Sequence, residues 1–149
     1  QIPTRWIDQG ATQGLPILKV KTRQISGLIE VELAKHIADK TNWRTLLKGD
    51  GDDIELVERA KELLPLVEDK IQEIKAQFGD DAIEVLNENI TPLSYPVEQH
   101  PVKITSHNFD KNPEVTGVLQ GIKGQYLILD TGVINIRKFG SYEVEVSAE

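Results

Sequence analysis

Apolar residues spaced three to four positions apart predict helices through much of the chain. The spacing predicts one helix over residues 26–40 and a short one over 43–47. A longer amphipathic helix follows over residues 54–78, with a kink near residues 63–64 because Pro65 lies inside it. A further short helix is predicted from residue 80 to residue 86.

Capping residues place the expected ends of these helices. Ser26 is the predicted N-cap of the first helix, and Asp52 or Asp53 is the predicted N-cap of the long one. Gly49 and Gly79 follow the short and the long helix and are predicted to stop them.

Alternating apolar and polar positions predict strands at both ends of the chain. Asp130-Thr131-Gly132 is predicted to be a hairpin connection, and Lys123-Gly124 a turn. The predicted strands are residues 17–22, 101–106, 115–120, 126–129, 133–137 and 142–146. Helices followed by consecutive short strands indicate an α+β protein, with a small antiparallel β sheet or barrel at its C-terminus.

The charge distribution divides the chain into three parts. Residues 1–48 hold 8 Lys/Arg and 4 Asp/Glu, a balance of +4. Residues 49–100 hold 4 and 14, a balance of −10, and residues 101–149 hold 5 and 6, a balance of −1. Pro92, Pro96 and Pro101 indicate an extended crossing and place the start of the last part near residue 90. We therefore expect a head over 1–48, an acidic helical segment over 49–90 and a small β domain over 91–149.

The composition excludes several kinds of chemistry. The chain contains no Cys, which excludes disulfides and thiolate metal sites within it. No apolar run approaches the roughly 20 residues that span a membrane. We expect no membrane partner and a cytoplasmic location. Because the chain starts at Gln1 and contains no Met, we expect it to be a fragment of a longer protein.

Two carboxylates on the predicted helix over 26–40 lie on different faces. Glu30 borders the apolar stripe, so it needs a partner such as Arg5 or Arg23, or must become neutral. Glu32 lies on a polar face together with His36. A structural ion pair and a functional carboxylate both fit Glu30.

A helix-borne Arg, then a strand, then a helix carrying Glu and His resembles the second half of a GIY-YIG-type nuclease domain. The residues that match are Arg5, Glu30 and His36. The resemblance implies that Arg5 holds a substrate phosphate and that Glu30, or else Glu32, binds Mg²⁺ with His36 beside it. The head would then be a truncated α/β nuclease-like domain, because the two strands that name that family would precede Gln1.

Basic side chains together with an aromatic residue suggest a nucleic-acid face, since cations bind phosphates and rings stack on bases. The alternative for Tyr126 is a core position with its hydroxyl at the rim. The candidate residues are Lys19, Lys21, Arg23, Lys123, Tyr126, Arg137 and Lys138.

Three segments, residues 4–23, 27–49 and 95–144, resemble the bacterial family DUF2797. The resemblance covers most of the chain, and only the acidic helices over 50–88 are unspecific. It implies a further N-terminal part of Cys-rich, zinc-binding character, which this chain lacks. That family has no assigned activity, so the resemblance implies no mechanism.

Two functions are compatible with these patterns. The first is a nucleic-acid-associated protein that binds DNA or RNA and, at full length, acts as a metal-dependent phosphodiesterase. The second is a non-enzymatic protein or RNA interaction module with a structural Arg5–Glu30 pair.

Overall fold

The computed structural model describes residues 6–38, 42–49 and 54–148. Helices and small antiparallel sheets occur together in them, which confirms the α+β class. The helices are α1 (Arg23–Leu33), α2 (Trp43–Lys48), α3 (Leu56–Leu66) and α4 (Glu68–Phe78). The strands are β1 (Gln13–Gly14), β2 (Leu18–Val20), β3 (Ile83–Val85), β4 (Thr91–Pro92), β5 (Leu119–Lys123), β6 (Tyr126–Leu129) and β7 (Gly132–Asn135). Two 3-10 turns cover Asp80–Ala82 and Ile136–Phe139.

The described chain forms two compact units, and each combines segments that are distant in sequence. The helical unit contains residues 12–38 and 54–93. The β unit contains residues 6–11, 42–49 and 94–148. The division at 1–48, 49–90 and 91–149 was made along the sequence and stays a prediction.

Helix α1 begins one turn before its predicted N-cap. Thr22 occupies the N-cap position, and its hydroxyl accepts a hydrogen bond from the Ile25 N–H at 3.3 Å. Ser26 therefore lies inside the helix, and its prediction as the cap was wrong. The helix also ends at Leu33, earlier than predicted, where the His36 N–H bonds to the Leu33 carbonyl in a 3-10 pattern.

The predicted long helix is two helices, α3 and α4, which meet at Val67. Pro65 has no N–H for the carbonyl four residues before it, so the helix is interrupted close to the predicted place. Gly79 ends α4 with a φ of 100°, as predicted. Asp52 and Asp53 lie outside the described residues, and Glu55 is the N-cap of α3.

The helix predicted over residues 80–86 was wrong beyond Ala82. Ile83–Val85 instead forms β3, which pairs antiparallel with β2 so that Val20 faces Ile83. Ile83 is 2% exposed and belongs to the core of the helical unit. Burial against the neighbouring strand therefore outweighed the local helical spacing. The buried residues of this core are Ile25, Ile29, Val67, Ile71, Ile74, Ala82 and Ile83.

The β unit is built on the antiparallel sheet β5-β6-β7, which is open in the described part of the chain. Strand β6 matches its prediction, and β5 and β7 overlap theirs. Residues 101–106 and 142–146 were wrongly predicted as strands. Pro101 can donate no ladder hydrogen bond, and Ser106 makes one isolated bridge to Val133.

Helix α2 confirms the predicted helix over residues 43–47 and supplies one face of the β-unit core. Asn42 caps its start, and Gly49 ends it in the left-handed conformation. Leu47 is fully buried with Ile128 and Val133 of the sheet. This packing fixes α2 on the sheet.

Candidate nucleic-acid-binding surface

The 3-10 turn Ile136–Phe139 presents two neighbouring cations to solvent. The Asn135 side-chain oxygen accepts a hydrogen bond from the Lys138 N–H at 3.2 Å and fixes the start of the turn. Phe139 is buried and anchors its end. Arg137 and Lys138 between them are exposed. Because neighbouring residues on a 3-10 turn point about 120° apart, the two cations would contact different phosphates.

Three aromatic rings lie beside these cations. The ring of Phe139 packs against Phe109 at 4.7 Å between centroids and against Tyr142 at 5.2 Å. Lys138 Nζ lies 5.1 Å from the Phe139 ring centroid. Phe139 is buried, whereas Tyr142 is 48% exposed. Tyr142 is therefore an exposed aromatic residue in contact with the ring over which Lys138 lies.

The hydroxyl of Tyr142 is held in place by Asp110. It donates a hydrogen bond to the Asp110 carboxylate. This bond raises the pKa of Tyr142 above its usual value, because the carboxylate accepts from the neutral phenol. The ring is thus fixed in orientation and neutral at physiological pH. Arg137, Lys138 and Tyr142 together are called the basic–aromatic surface below.

The two cations of this surface take part in none of the ion pairs of the described chain. All six of them lie in the helical unit, and among the described acids none is within ion-pair distance of Arg137 or Lys138. The segments assigned to the β unit hold 8 Lys/Arg and 9 Asp/Glu, a balance of −1. Those of the helical unit hold 9 and 15, a balance of −6. The β unit therefore repels a polyanion less than the helical unit does.

Two residues predicted to contact nucleic acid are inside the β unit instead. Lys123 is 5% exposed, and its Nζ donates a hydrogen bond to the Leu46 carbonyl at 2.8 Å. Burial lowers the pKa of Lys123. Tyr126 is 8% exposed and stacks on Trp43, with 5.6 Å between ring centroids. As positioned here, neither side chain faces a ligand in solvent, and for Tyr126 this matches the core alternative.

The three other predicted cations lie in the helical unit. Lys19 pairs with Glu84 across the β2–β3 ladder at 3.9 Å. Lys21 forms an ion pair with Asp81, which lowers the pKa of that carboxyl through the hydrogen bond between them. Arg23 is exposed at the start of α1. Acids thus neutralise two of these three cations.

The predicted catalytic residues do not form a cluster among the described residues. Glu30 is exposed, not partly buried as expected, and accepts a hydrogen bond from Ser26 Oγ at 3.2 Å. Glu32 pairs with Lys35 at 2.7 Å, and this hydrogen bond lowers the pKa of Glu32. His36 is half-buried in the turn after α1, and Arg5 lies outside the described residues.

A magnesium site was predicted at Glu30. Residues 6–38, 42–49 and 54–148 contain no group of three or more His, Asp or Glu side chains arranged to hold a metal. One exposed carboxylate with a serine neighbour supplies a single strong oxygen ligand, and Mg²⁺ requires octahedral coordination. Water molecules would have to complete the coordination, and the magnesium site at Glu30 stays a prediction.

Comparison with known proteins identifies the family. The family model DUF2797, described as a protein of unknown function, matches residues 1–144. The chain belongs to the DUF2797 family. No curated protein and no solved structure matches it. In this DUF2797 member, no helix of the described chain is long and apolar enough to cross a membrane.

Sequence reasoning missed the aromatic part of the surface. Tyr142 was assigned to a predicted strand and Phe109 to a loop. The signal in the sequence is the spacing of Phe139 and Tyr142, three residues apart directly after two cations. Phe109 has no such signal, because its packing on Phe139 joins segments 30 residues apart.

Proposed function

We propose that this chain binds single-stranded nucleic acid, DNA or RNA, through the basic–aromatic surface of its β unit. The observation that carries the proposal is the exposure of Arg137 and Lys138 beside the fixed ring of Tyr142. Proteins that bind single strands combine cations along the backbone with aromatic rings on which bases stack. The surface contains both kinds of group within six consecutive residues.

The expected binding is weak and depends on salt. Each phosphate neutralised on a single strand contributes about −0.7 to the slope of log affinity against log salt, so two cations contribute about −1.4. Stacking of one base on an aromatic side chain contributes about 1–3 kcal/mol.

Fluorescence anisotropy with a labelled single-stranded oligonucleotide, titrated at several salt concentrations, tests the proposal. The double substitution R137Q/K138Q should reduce the salt slope by about 1.4. The matched control is R59Q/K61Q, which removes one Arg and one Lys from exposed ion pairs of the helical unit. An equal loss in both double variants, or no binding by the wild type at low salt, would refute the proposal.

The ring is tested separately from the charges. Tyr142→Ala should weaken binding about 5-fold to 150-fold, since it removes one stacking platform. Tyr142→Phe keeps the ring and loses only the hydroxyl bond to Asp110. Its affinity should stay close to that of the wild type, and an equally large loss would contradict stacking.

The metal-dependent nuclease stays a prediction that rests on the resemblance of Arg5, Glu30 and His36 to GIY-YIG-type domains. It requires that the protein cleaves nucleic acid in the presence of Mg²⁺. Glu30→Gln should abolish this cleavage and leave the far-ultraviolet circular dichroism spectrum unchanged. Loss of the fold in Glu30→Gln would favour the alternative, a non-enzymatic module with a structural Arg5–Glu30 pair. The cytoplasmic location, the bacterial origin and the N-terminal zinc-binding part also stay predictions.

A further inference from the structure

A polar groove of about 330 Å³ opens in the β unit, away from the residues of the basic–aromatic surface. It lies between residues 99–105 on one side and the β6–β7 connection with Gln120 on the other. Its volume is at the lower end of the range in which proteins bind small molecules. The groove can therefore hold a compact ligand.

The groove is present because residues 100–104 leave the sheet between two backbone hydrogen bonds that hold the ends of this segment. At one end, the Glu98 N–H bonds to the Gln120 carbonyl at 2.8 Å. At the other, the Val133 N–H bonds to the Thr105 carbonyl at 2.8 Å. Within the described chain, residues 100–104 form no backbone-to-backbone hydrogen bond. Pro101 contributes to the gap, because it has no N–H with which to continue the ladder.

The hydrogen-bond partner of His100, which lines the groove, assigns the tautomer of its imidazole. The Nδ1 of His100 lies 3.1 Å from the Leu47 carbonyl oxygen. A carbonyl can only accept, so Nδ1 carries the hydrogen and Nε2 is left for a ligand. The ring also packs on Gly49, where an added Cβ would lie 3.2 Å from His100 Cγ. The imidazole is thus held against the end of α2 at the edge of the groove.

Charges and hydrogen bonds in the groove define the ligand it would accept. Lys103 is exposed and lies in none of the ion pairs of the described chain. Asp130 uses Oδ1 to accept the Val118 N–H at 2.8 Å, which leaves Oδ2 for a donor. Gln120 donates to Gln99 at 3.4 Å, so one amide oxygen and one amide nitrogen remain.

The lining thus combines Lys103, which forms no ion pair within the described chain, with several acceptors and an amide donor. An ammonium binds a phosphate as a point charge. The carboxylate and amide oxygens require hydroxyl or amino groups on the same ligand. We propose that this groove binds a small organic phosphate whose remaining part carries hydroxyl or amino groups, such as a nucleoside monophosphate. The proposal does not depend on nucleic-acid binding at Arg137, Lys138 and Tyr142.

Titration of the ¹⁵N-labelled protein with a nucleoside 5′-monophosphate, followed by NMR, tests the proposal. The expected result is saturable shifts of the amide signals of residues 99–105 and 129–132. The parent nucleoside and inorganic phosphate, added separately, should each bind more weakly, because each satisfies only part of the groove. Absence of saturation with every nucleotide, or shifts confined to the basic–aromatic surface, would overturn the proposal.

Two substitutions test the phosphate part and the hydroxyl or amino part of the ligand separately. Lys103→Gln removes the cation and should weaken nucleotide binding about fivefold, the effect of one ion pair at contact distance in water. Asp130→Asn keeps an acceptor for the Val118 N–H but replaces the free Oδ2 by an amide nitrogen that cannot accept, so binding of the parent nucleoside should weaken. Lys111→Gln, an exposed lysine of the same unit outside the groove, is the matched control. Equal weakening by Lys103→Gln and Lys111→Gln, or unchanged nucleoside binding in Asp130→Asn, would overturn the assignment.

Discussion

Lys123 is expected to make the stability of the β unit depend on pH. Its ammonium is 5% exposed and bonds the Leu46 carbonyl at the end of α2, where the helix dipole favours a positive charge. Lys123→Met fills similar volume but removes the ammonium bond, so that the Leu46 carbonyl keeps only the Gly49 N–H at 3.3 Å. A hydrogen bond to a charged group contributes about 1.5–3 kcal/mol, so this variant should be less stable by that amount near pH 7.

The pH dependence has a definite sign. Burial lowers the pKa of Lys123 below its usual value of 10.5. Between the lowered pKa and 10.5 the unfolded chain binds a proton that the folded chain has released. The free energy of unfolding of the wild type therefore gains a contribution that rises with pH across that window. Lys123→Met lacks this contribution, so the stability difference between the two proteins should grow as the pH approaches 10.5.

Urea denaturation of both proteins at a series of pH values up to about 10 measures the difference. Burial raises the pKa of Tyr95 above 10.0, so this phenol, whose ring centroid lies 5.9 Å from Lys123 Nζ, stays protonated over this range in the folded state of both proteins. Lys111→Met, at an exposed position, is the control for replacing a lysine by methionine. A difference that stays flat or shrinks with pH, or a Met variant more stable than the wild type, would refute the reasoning.

Two further predictions concern the helix cap and the core. Thr22→Ala should destabilise the protein by about 1 kcal/mol, because it removes the acceptor for the Ile25 N–H, whereas Ser26→Ala inside α1 should change stability by less. Thermal unfolding of the two variants decides between the caps, and a larger loss in Ser26→Ala would contradict the assignment. Tyr126→Ala should cost about 3–5 kcal/mol, because it empties a buried aromatic site. Tyr126→Phe keeps the ring and loses only the hydrogen bond from Asn135. Its free energy of unfolding, measured by chemical denaturation, should fall by less than about 1.5 kcal/mol. Similar losses in both Tyr126 variants would contradict the role of the stacked ring.

The candidate site was only partly predictable from the sequence. Arg137 and Lys138 were identified from the sequence, and the structure places both at the surface. Lys123 was predicted to lie in a turn together with Gly124. In the structure it is the last residue of β5, and its side chain is buried. Its burial depends on α2, some 75 residues earlier in the chain, whose last carbonyls it reaches. No local pattern carries that information.

Local rules therefore determined the elements whose ends and faces depend on near neighbours. Asn42 and Gly49 delimit α2, Gly79 ends α4, and β6 follows the apolar run 126–129. Caps and turns act within about four residues, so one sequence is enough to find them.

Tertiary structure decided the rest. Residues 83–85 became a strand because burial against β2 outweighed their helical spacing. Residues 100–104 left the sheet and opened a groove, although their alternation predicted a strand. For residues 83–85 the physical reason is that hydrogen bonds and burial between distant segments contribute more free energy than local propensity, which among residues other than proline differs by at most about 1 kcal/mol per residue. Residues 100–104 instead lie between two backbone anchors, and Pro101 has no N–H with which to extend the ladder.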